Sequence, residues 1–596
     1  MMENVKKALA IFTFSPVQSF ISEARRAEDL FNGSAILSRL AYAAAQAIGS
    51  EHLIYPASLS AEDMPNKLVA ELNLAEAEQI LQKAENALIG EWRKIAADAR
   101  HKANLDTDPV WQTIWQRQII QRPPWQVFWV YLPEGGEYVK DYREASRLLD
   151  GLKHSRLFDQ NEEDGEKDSL SGQRSALHRE KETAKMYWTE MAKKPQVTAS
   201  RLKPEGKERL DSIGLVKRFA ELNPKRDFPS TSTVAGWDFY RLALEKASAA
   251  LEVHKKALDD LNLYQARQKD KVFPYDLDVL FEETLTPQRM KDSYNKTFTG
   301  EELKLALQTL RALYKATGDN RPSPYYAILL LDGDGVGKKL SKMEGVSSLK
   351  GGDFHTAFSR ALADFATRTA DLAQPKKGGF LIYNGGDDVL LFASLQNAIP
   401  LAVELTQAYK AALQNVVHAT LSGAVLIAHH LSPLSRVLAD LRAAEKFAKS
   451  AQPDELGNKN MLCTALSKRG GGLLLARSSP DELVNFDEKW AAPFRAGQLA
   501  GALPYMLKND LRVAESLEPK AVQALAQYRF QRQAAQGFGD QAAVLANHWL
   551  EWVSGIENRL TPAGSGSASA EYRRTAFEEG VNWLIIARFL GQGGRE

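Results

Sequence analysis

An α+β multidomain fold is predicted by three features of this chain. A buried strand ends in a carboxylate at Asp332, a tight glycine hairpin carries Asp387 and Asp388, and the elements around them run β-α-β-β-α-β, the ferredoxin-like order. Tyr326–Leu331 (YAILLL) is an apolar run too short for a core helix, bounded by Pro324 and Gly333, and reads as a central strand. A helix is expected over Phe354–Ala373. Strands at Gly379–Tyr383 and Asp388–Ala393 flank the turn Asn384-Gly385-Gly386-Asp387, whose Asn-Gly and Gly-Gly steps supply the positive φ that tight hairpins need. A helix over Ala398–Asn415, a strand at Ala419–Ala428, a helix over Pro433–Ser450 and a short strand at Met461–Ser467 follow. After about Pro480 only helical patterns remain, interrupted by a Gly/Ser-rich flexible segment, Pro562–Ala570.

The first half begins in a similar way. Lys7–Phe14 (KALAIFTF) reads as a buried strand, Ser15-Pro16 as a turn and Val17–Leu30 as a helix. Asn32-Gly33-Ser34 is expected to break that helix, with Ser34 capping the next one, Ala35–Ile48. Trp125–Leu132 reads as a second strand, Asp159–Arg174 as a polar loop, and Phe228–Thr233 as a loop leading to a helix near Gly236. Residues 236–270 and 299–316 carry helical apolar spacing.

The totals narrow the classes of function. The 596 residues suffice for several cores; 44% are hydrophobic and 25% charged, as in ordinary globular proteins. A net charge of +1 gives no global field for nucleic acid, although local basic patches remain open. Cys463 is the single cysteine, so no intrachain disulfide and no cysteine-based zinc cluster can form, and a reducing, cytoplasmic setting is expected. The N-terminus lacks the apolar core of a signal peptide, and no run is long enough to span a membrane.

Two segments carry chemistry. In Leu331-Asp332-Gly333-Asp334-Gly335-Val336-Gly337-Lys338 a strand ends in a carboxylate and enters a glycine-rich turn before a helix. Glycines at 333 and 335 let a phosphate approach backbone N–H groups at a helix N-terminus. Alone, this segment is equally a calcium-like loop or an Asp-Gly turn. In Asn384-Gly385-Gly386-Asp387-Asp388 two adjacent carboxylates occupy a turn that ordinarily takes one. Together the segments say more, because the first strand of such a sheet lies beside the central hairpin. Asp332 then faces Asp387 and Asp388, and two like charges ~4 Å apart repel by about 4 kcal/mol at an effective dielectric of about 20. Hard oxygen ligands without His or Cys call for Mg²⁺ or Mn²⁺, with substrate phosphates completing the shell. A two-metal site of this kind activates a ribose 3′-oxygen and neutralises the departing pyrophosphate. Lys449, at the end of a helix with Arg442, Glu445 and Lys446 before it, is a candidate for holding a triphosphate, whereas Lys446 reads as a solvated face. His429 and His430 read as loop residues at a strand end.

The GGDD at 385–388, preceded by LLDGDGVGK, resembles the large polymerase-like subunit of type III CRISPR effector complexes. The segment FSPVQSFI at 14–21, Ala24-Arg25, Asp29-Leu30, Gly33-Ser34 and Leu37-Ser38 is similar to that family's first palm and points to the III-B (Cmr) branch. Phe228-Pro229-Ser230-Thr231 and Ser467-Lys468-Arg469-Gly470-Gly471 match as well. The resemblance implies two facing ferredoxin-like, cyclase-type palms at 1–235 and 325–475, a helical spacer at 236–324 and a helical C-terminal domain at 476–596. It implies synthesis of cyclic oligoadenylate from ATP, switched on by target RNA. Asp332, Asp387 and Asp388 would be catalytic, and these three with Gly333 would hold the metals. Gly333, Gly335, Gly385, Gly386 and Lys449 would meet one nucleotide, and Gly33 and Ser34 a second. The implied partners are the complex's base subunit beside the crRNA 5′ end and its small subunit, with crRNA and target RNA met mainly through the complex. The first palm has Ser15-Pro16 where the second has Asp332-Gly333-Asp334, so it lacks the acids for metal catalysis. Two departures from relatives matter. No His-Asp pair exists, so no HD-type DNase activity is expected; and Lys167–Gly172 carries Asp168 and Ser171 where relatives have a zinc-binding Cys-x-x-Cys, so no zinc is expected. Competing readings are a palm that joins AMP to another acceptor such as S-adenosylmethionine, a scaffold subunit with an inactive palm, and a free diguanylate cyclase, which the N-terminal match disfavours.

Overall fold

The structure, a computed structural model, describes residues 6–103, 106–155, 163–194, 202–222, 228–263, 275–343, 345–346, 349–455, 457–561 and 570–594. Two sheets organise it. The first contains β1 (Lys7–Ser15), β2 (Leu53–Tyr55), β3 (Lys67–Asn73) and β4 (Gln126–Pro133) in the order β2-β3-β1-β4, all antiparallel. The second contains β5 (Tyr325–Gly333), β6 (Gly379–Asn384), β7 (Val389–Ala393), β8 (Leu421–His429), β9 (Leu462–Ser467) and β10 (Leu473–Ser478) in the order β10-β9-β8-β5-β7-β6. Helices Gly351–Leu372 and Ala398–Leu413 complete the β-α-β-β-α-β unit. The helix Leu434–Lys449 then lets β9 return parallel to β8. In both sheets the first strand is central, which is the ferredoxin-like arrangement.

The apolar runs of β1 and β5 lack polar alternation because both faces of each strand are covered. Ala8, Ala10, Phe12 and Phe14 pack in one core with Tyr326 and Ile328, while Leu9 and Ile11 pack in the other with Ala327, Leu329 and Leu331. The two sheets therefore share both cores. Between them in sequence, helices Thr231–Lys246, Ser248–Asp260, Pro287–Tyr294 and Lys304–Ala316 gather around Leu251, Leu258, Leu277, Leu310 and Leu313. The C-terminal helices Leu503–Ser516, Pro519–Arg532, Gly539–Leu560 and Ala570–Gly591 pack against the β10 side, where buried Arg477 grips buried Glu579.

Several expectations need correction. Asn32-Gly33-Ser34 does not break a helix: a short helix, Gln18–Ser22, is followed by one continuous helix, Ala27–Ile48, that runs through all three residues. The Asp29 carboxylate accepts from the N–H groups of Arg25 and Arg26 and so caps the helix at Arg26, well before the expected cap at Ser34. Gly33 instead gives close approach to Ile21, whose Cα lies 3.5 Å from where a Cβ would stand. The helix expected near Gly236 begins at Thr231, capped by the Ser230 hydroxyl. Strands β2, β3 and β10 were not foreseen; β2 is three residues long, and β3 (KLVAELN) and β10 (LLLARS) are short runs of seven and six residues. The Gly/Ser-rich stretch at 562–569 lies outside the described residues. No helix among those described is long and apolar enough to cross a membrane.

Candidate active site

Three strand ends meet at one edge of the second sheet. β5 pairs with β7 from Ala327↔Ala393 to Leu331↔Val389, so the residue after Leu331 arrives beside the hairpin tip. The Gly333 N–H donates to the Asp387 carbonyl at 3.1 Å, tying the end of β5 to the turn. The turn itself closes through the Gly385 N–H, which donates to the Asp388 carbonyl at 2.9 Å. Below it, the Asn384 amide donates to the carbonyl of Ala366, anchoring the hairpin to a helix. Gly386 has φ +98°, a conformation only glycine adopts readily, and a Cβ there would lie 3.2 Å from the Tyr55 hydroxyl. At Gly333 the space a Cβ would need is filled by the Tyr409 hydroxyl and by Val336. At Gly385 the Tyr383 ring fills it.

The carboxylates repel one another as their spacing suggests. Burial raises Asp387 to about 6, with the Asp332 charge adding to the shift. Burial, a hydrogen bond with Asp332 and the Asp387 charge push Asp388 well above the usual carboxylate range. The counter-charge within the chain is Lys449, which ion-pairs with Asp332 and, at 2.8 Å, with Glu445. Asp332 and Lys449 remain 28% and 24% exposed, so the cluster opens to solvent while its roots are buried. Three phenols surround it. Tyr409 is buried with no hydrogen-bond partner, and Tyr55 and Tyr383 are each pushed up by burial and by Asp387 and Asp388.

The two acids of the Asp332-Gly333-Asp334 turn have different work. Asp334 points away from the cluster. It accepts from Thr420 (2.7 Å), Ser422 (2.6 Å) and the N–H groups of Lys459 (3.1 Å) and Asn460 (3.0 Å), pinning β8 to the loop before β9. Gly335, at φ +62°, lets the chain turn from there into the helix Val336–Lys342. The site thus brings together Asp332, Gly333, Gly385, Gly386, Asp387, Asp388 and Lys449, with Gly335 one turn away. Gly33 and Ser34 are buried within their helix, and Ser34 faces a small pocket shared with Asp63, Leu381 and Ile382. Residue-by-residue reading missed Tyr55, Tyr383, Tyr409 and Glu445. Tyr383 and Glu445 stood beside identified residues; Tyr409 looked like helix core, and Tyr55 comes from the other sheet.

A like-charged oxygen cluster held together by a shared proton and one lysine suits a hard divalent cation, and the donor set fits Mg²⁺ or Mn²⁺. At Lys167–Gly172 the Asp168 carboxylate accepts from the N–H groups of Leu170 (2.8 Å), Ser171 (2.7 Å) and Gly172 (3.1 Å).

Comparison with known proteins agrees with this geometry. Residues 325–463 match the family model described as Cas10/Cmr2, second palm domain, and residues 9–97 match that of CRISPR-associated protein Cmr2, N-terminal. The CRISPR system Cmr subunit Cmr2 of Pyrococcus furiosus is 29% identical over 224 residues, 34% of this chain and 25% of that protein. The chain thus aligns with only a quarter of the length of this curated relative. A type III-B Cmr-beta structure in the apo state superposes with TM-score 0.62 at 14% identity, covering 89% of this chain and 78% of the other. The same assembly bound to cognate target RNA gives TM-score 0.61 at 15% identity over 90% and 79%. These two likenesses establish the fold, and the family models establish the domains. Residues 9–97 and 325–463 thus match, in order along the chain, the N-terminal domain of Cmr2 and the second palm domain of Cas10/Cmr2.

Proposed function

We propose that this chain is the nucleotidyl-transfer subunit of a type III-B CRISPR effector complex and converts ATP to a cyclic oligoadenylate when target RNA is bound. The observation that carries the reading is the meeting of Asp332 from β5 with Asp387 and Asp388 from the β6–β7 hairpin. Divalent ions held there by Asp332, Asp387 and Asp388 would supply charge neutralisation to the triphosphate and to an attacking ribose 3′-oxygen. The chain's own groups do the rest. Gly385 and Gly386 keep the hairpin tip free of side chains of its own, so that it packs closely against Tyr383 and Tyr55 and holds Asp387 and Asp388 in place. Lys449 pairs with Asp332 and is within reach to exchange that partner for a phosphate oxygen. Tyr55 and Tyr383 wall the site and exclude water from one side of it. Each transfer joins a 3′-oxygen to an α-phosphorus and releases pyrophosphate.

Partner subunits and RNA belong to the same proposal. The solved relative is described with cognate target RNA, and its likeness extends over most of this chain. The test is to assemble the complex with its crRNA, add ATP, Mn²⁺ or Mg²⁺ and matched target RNA, and identify the product by mass. A ladder of adenylates ending in cyclic species is expected, abolished by Asp387→Ala with Asp388→Ala. A product containing S-adenosylmethionine, or unchanged output from the double variant, overturns the reading.

A further inference from the structure

A second cavity lies at the opposite end of the second sheet. β5 and β8 pair from Gly333↔Leu421, beside the acids, to Tyr325↔His429. Eight residues of strand separate the two ends, ~26 Å at about 3.3 Å per residue. At the far end, His430, Phe380 and Pro433 help to line a cavity of about 990 Å³ enclosed also by the first domain and the spacer helices. This volume lies at the upper end of the range of small-molecule sites.

Its charge is one-sided. Arg25, Arg26, Lys203, Arg241, Arg289 and Lys376 line it, against the acids Glu28 and Asp276. Nearby carboxylates offset part of this charge, Glu208 beside Arg26 and Lys203, Asp238 beside Arg241 and Asp278 beside Arg289, but within the lining the cations outnumber the acids. Arg25 donates to the carbonyls of Ser169 (2.7 Å) and Lys207 (3.2 Å), and Arg241 to the carbonyl of Lys376 (2.8 Å). Arg25 and Arg26 stand 3.9 and 3.8 Å from Glu208, which already serves Arg218 at 3.2 Å. Arg289 and Lys376 form no ion pair among the described residues. The Asp276 carboxylate is engaged by the hydroxyls of Ser230 (2.8 Å) and Thr233 (3.1 Å). Burial lowers Lys203 and the neighbouring Arg26 and Arg25 add to the shift, while Glu208 and Asp292 oppose it.

The cavity also offers aromatic surface. Trp237 and Tyr240 line it, their rings 5.8 Å apart, and the Trp237 indole N–H is buried without an acceptor. Glu283, His429 and His430 come close enough together to suggest a cation site nearby. However, burial, His430, Arg469 and Arg289 all lower His429, with Glu283 opposing, and His430 already bonds Ser232 at 2.9 Å, so cations stand near these rings as well. We propose that this cleft is a second binding site, separate from the acidic cluster, for a nucleoside di- or triphosphate: arginines and lysines take the phosphates without a metal, and Trp237 or Tyr240 stacks on the base.

Calorimetric titration of the full chain carrying Asp387→Ala and Asp388→Ala, in EDTA and low salt, isolates this cleft from the acidic site. ATP is expected to bind there, adenosine at least tenfold more weakly, and inorganic tripolyphosphate to compete. Arg289→Ala with Lys376→Ala should weaken ATP at least tenfold with little change in melting temperature, because neither side chain forms an ion pair among the described residues. Lys203→Ala provides an independent variant should that pair disturb folding, with the same direction expected. Absence of ATP binding in EDTA, or binding indifferent to these substitutions, overturns the proposal. Binding of a single-stranded oligonucleotide in place of ATP overturns it in favour of a nucleic-acid groove. Because this readout needs neither metal nor catalysis, it is independent of the outcome of the messenger assay.

Discussion

The Tyr55 hydroxyl lies 3.2 Å from the point where a side chain on Gly386 would begin. One residue belongs to the first sheet and the other to the acidic hairpin of the second, so the first domain supplies part of the wall around the acids. Helix Tyr138–His154 strengthens the contact, its Tyr138 hydroxyl bonding His355 at 2.9 Å.

Gly386→Ala should therefore lower nucleotidyl transfer by more than tenfold while the chain still folds. The added methyl meets Tyr55, and φ +98° is strained for alanine by roughly 1–2 kcal/mol. Single-turnover rates for Gly386→Ala, alone and combined with Tyr55→Ala, separate the two causes; relief of the contact should restore only part of the rate.

Asp388→Asn should abolish activity and yet stabilise the metal-free protein. Asparagine keeps the hydrogen bond to Asp332 without needing a bound proton, so the burial and repulsion that burden ionised Asp388 no longer apply. A rise in melting temperature of roughly 2–4 °C at pH 8 is expected if about 1 kcal/mol of repulsion is relieved. Saturating Mn²⁺ should stabilise the unsubstituted chain more than the variant. A fall in the variant's melting temperature in EDTA would contradict the electrostatic account.

The pH dependence has a definite sign. Asp387 titrates near 6 in the folded chain and lower when unfolded, so its contribution to metal-free stability is greatest below the ordinary carboxylate pKa and is lost as pH rises through about 6. Metal affinity runs the other way, because protons compete for the same oxygens. Mn²⁺ titrations followed by electron paramagnetic resonance should show affinity falling by up to about tenfold per unit as pH drops from 7 to 5. Affinity that stays flat over this range would mean that these oxygens are not the ligands.

Much of this site was legible because its chemistry is local. Asp332 ends an apolar run, Asp387 and Asp388 follow the glycines of a hairpin, and strand pairing brings the two together. The helix boundary at Asn32-Gly33-Ser34 was not legible, because Asp29 caps the helix and Arg218 holds Asp29 from 189 positions away in the chain. Tyr55 was hidden for the same reason: no short-range pattern announces which residue of one sheet will stand over a turn of another. Asp334 carried the opposite risk, since its place in the Asp-Gly-Asp triplet suggests a ligand while its hydrogen bonds make it a clamp.

Glu579→Ala should loosen the C-terminal helix rather than the acidic site. Glu579 accepts from the Arg477 guanidinium and from its N–H at 3.0 Å, and both residues are buried, so the truncation leaves an unpaired buried charge at a cost of about 3–5 kcal/mol. Hydrogen exchange should accelerate across Ala570–Gly591 and β10, with protection retained in β5. Uniform acceleration through both sheets would show that the last helix is not a separable unit.

The shared interior of the two sheets has a consequence for any shortened version of this molecule. A chain cut at the start of β5 would bare the apolar undersides of both halves at once, and each fragment would seek a substitute cover in its neighbours. Coexpression of the pieces should recover soluble material where either piece alone precipitates, because each half serves as a lining for the other.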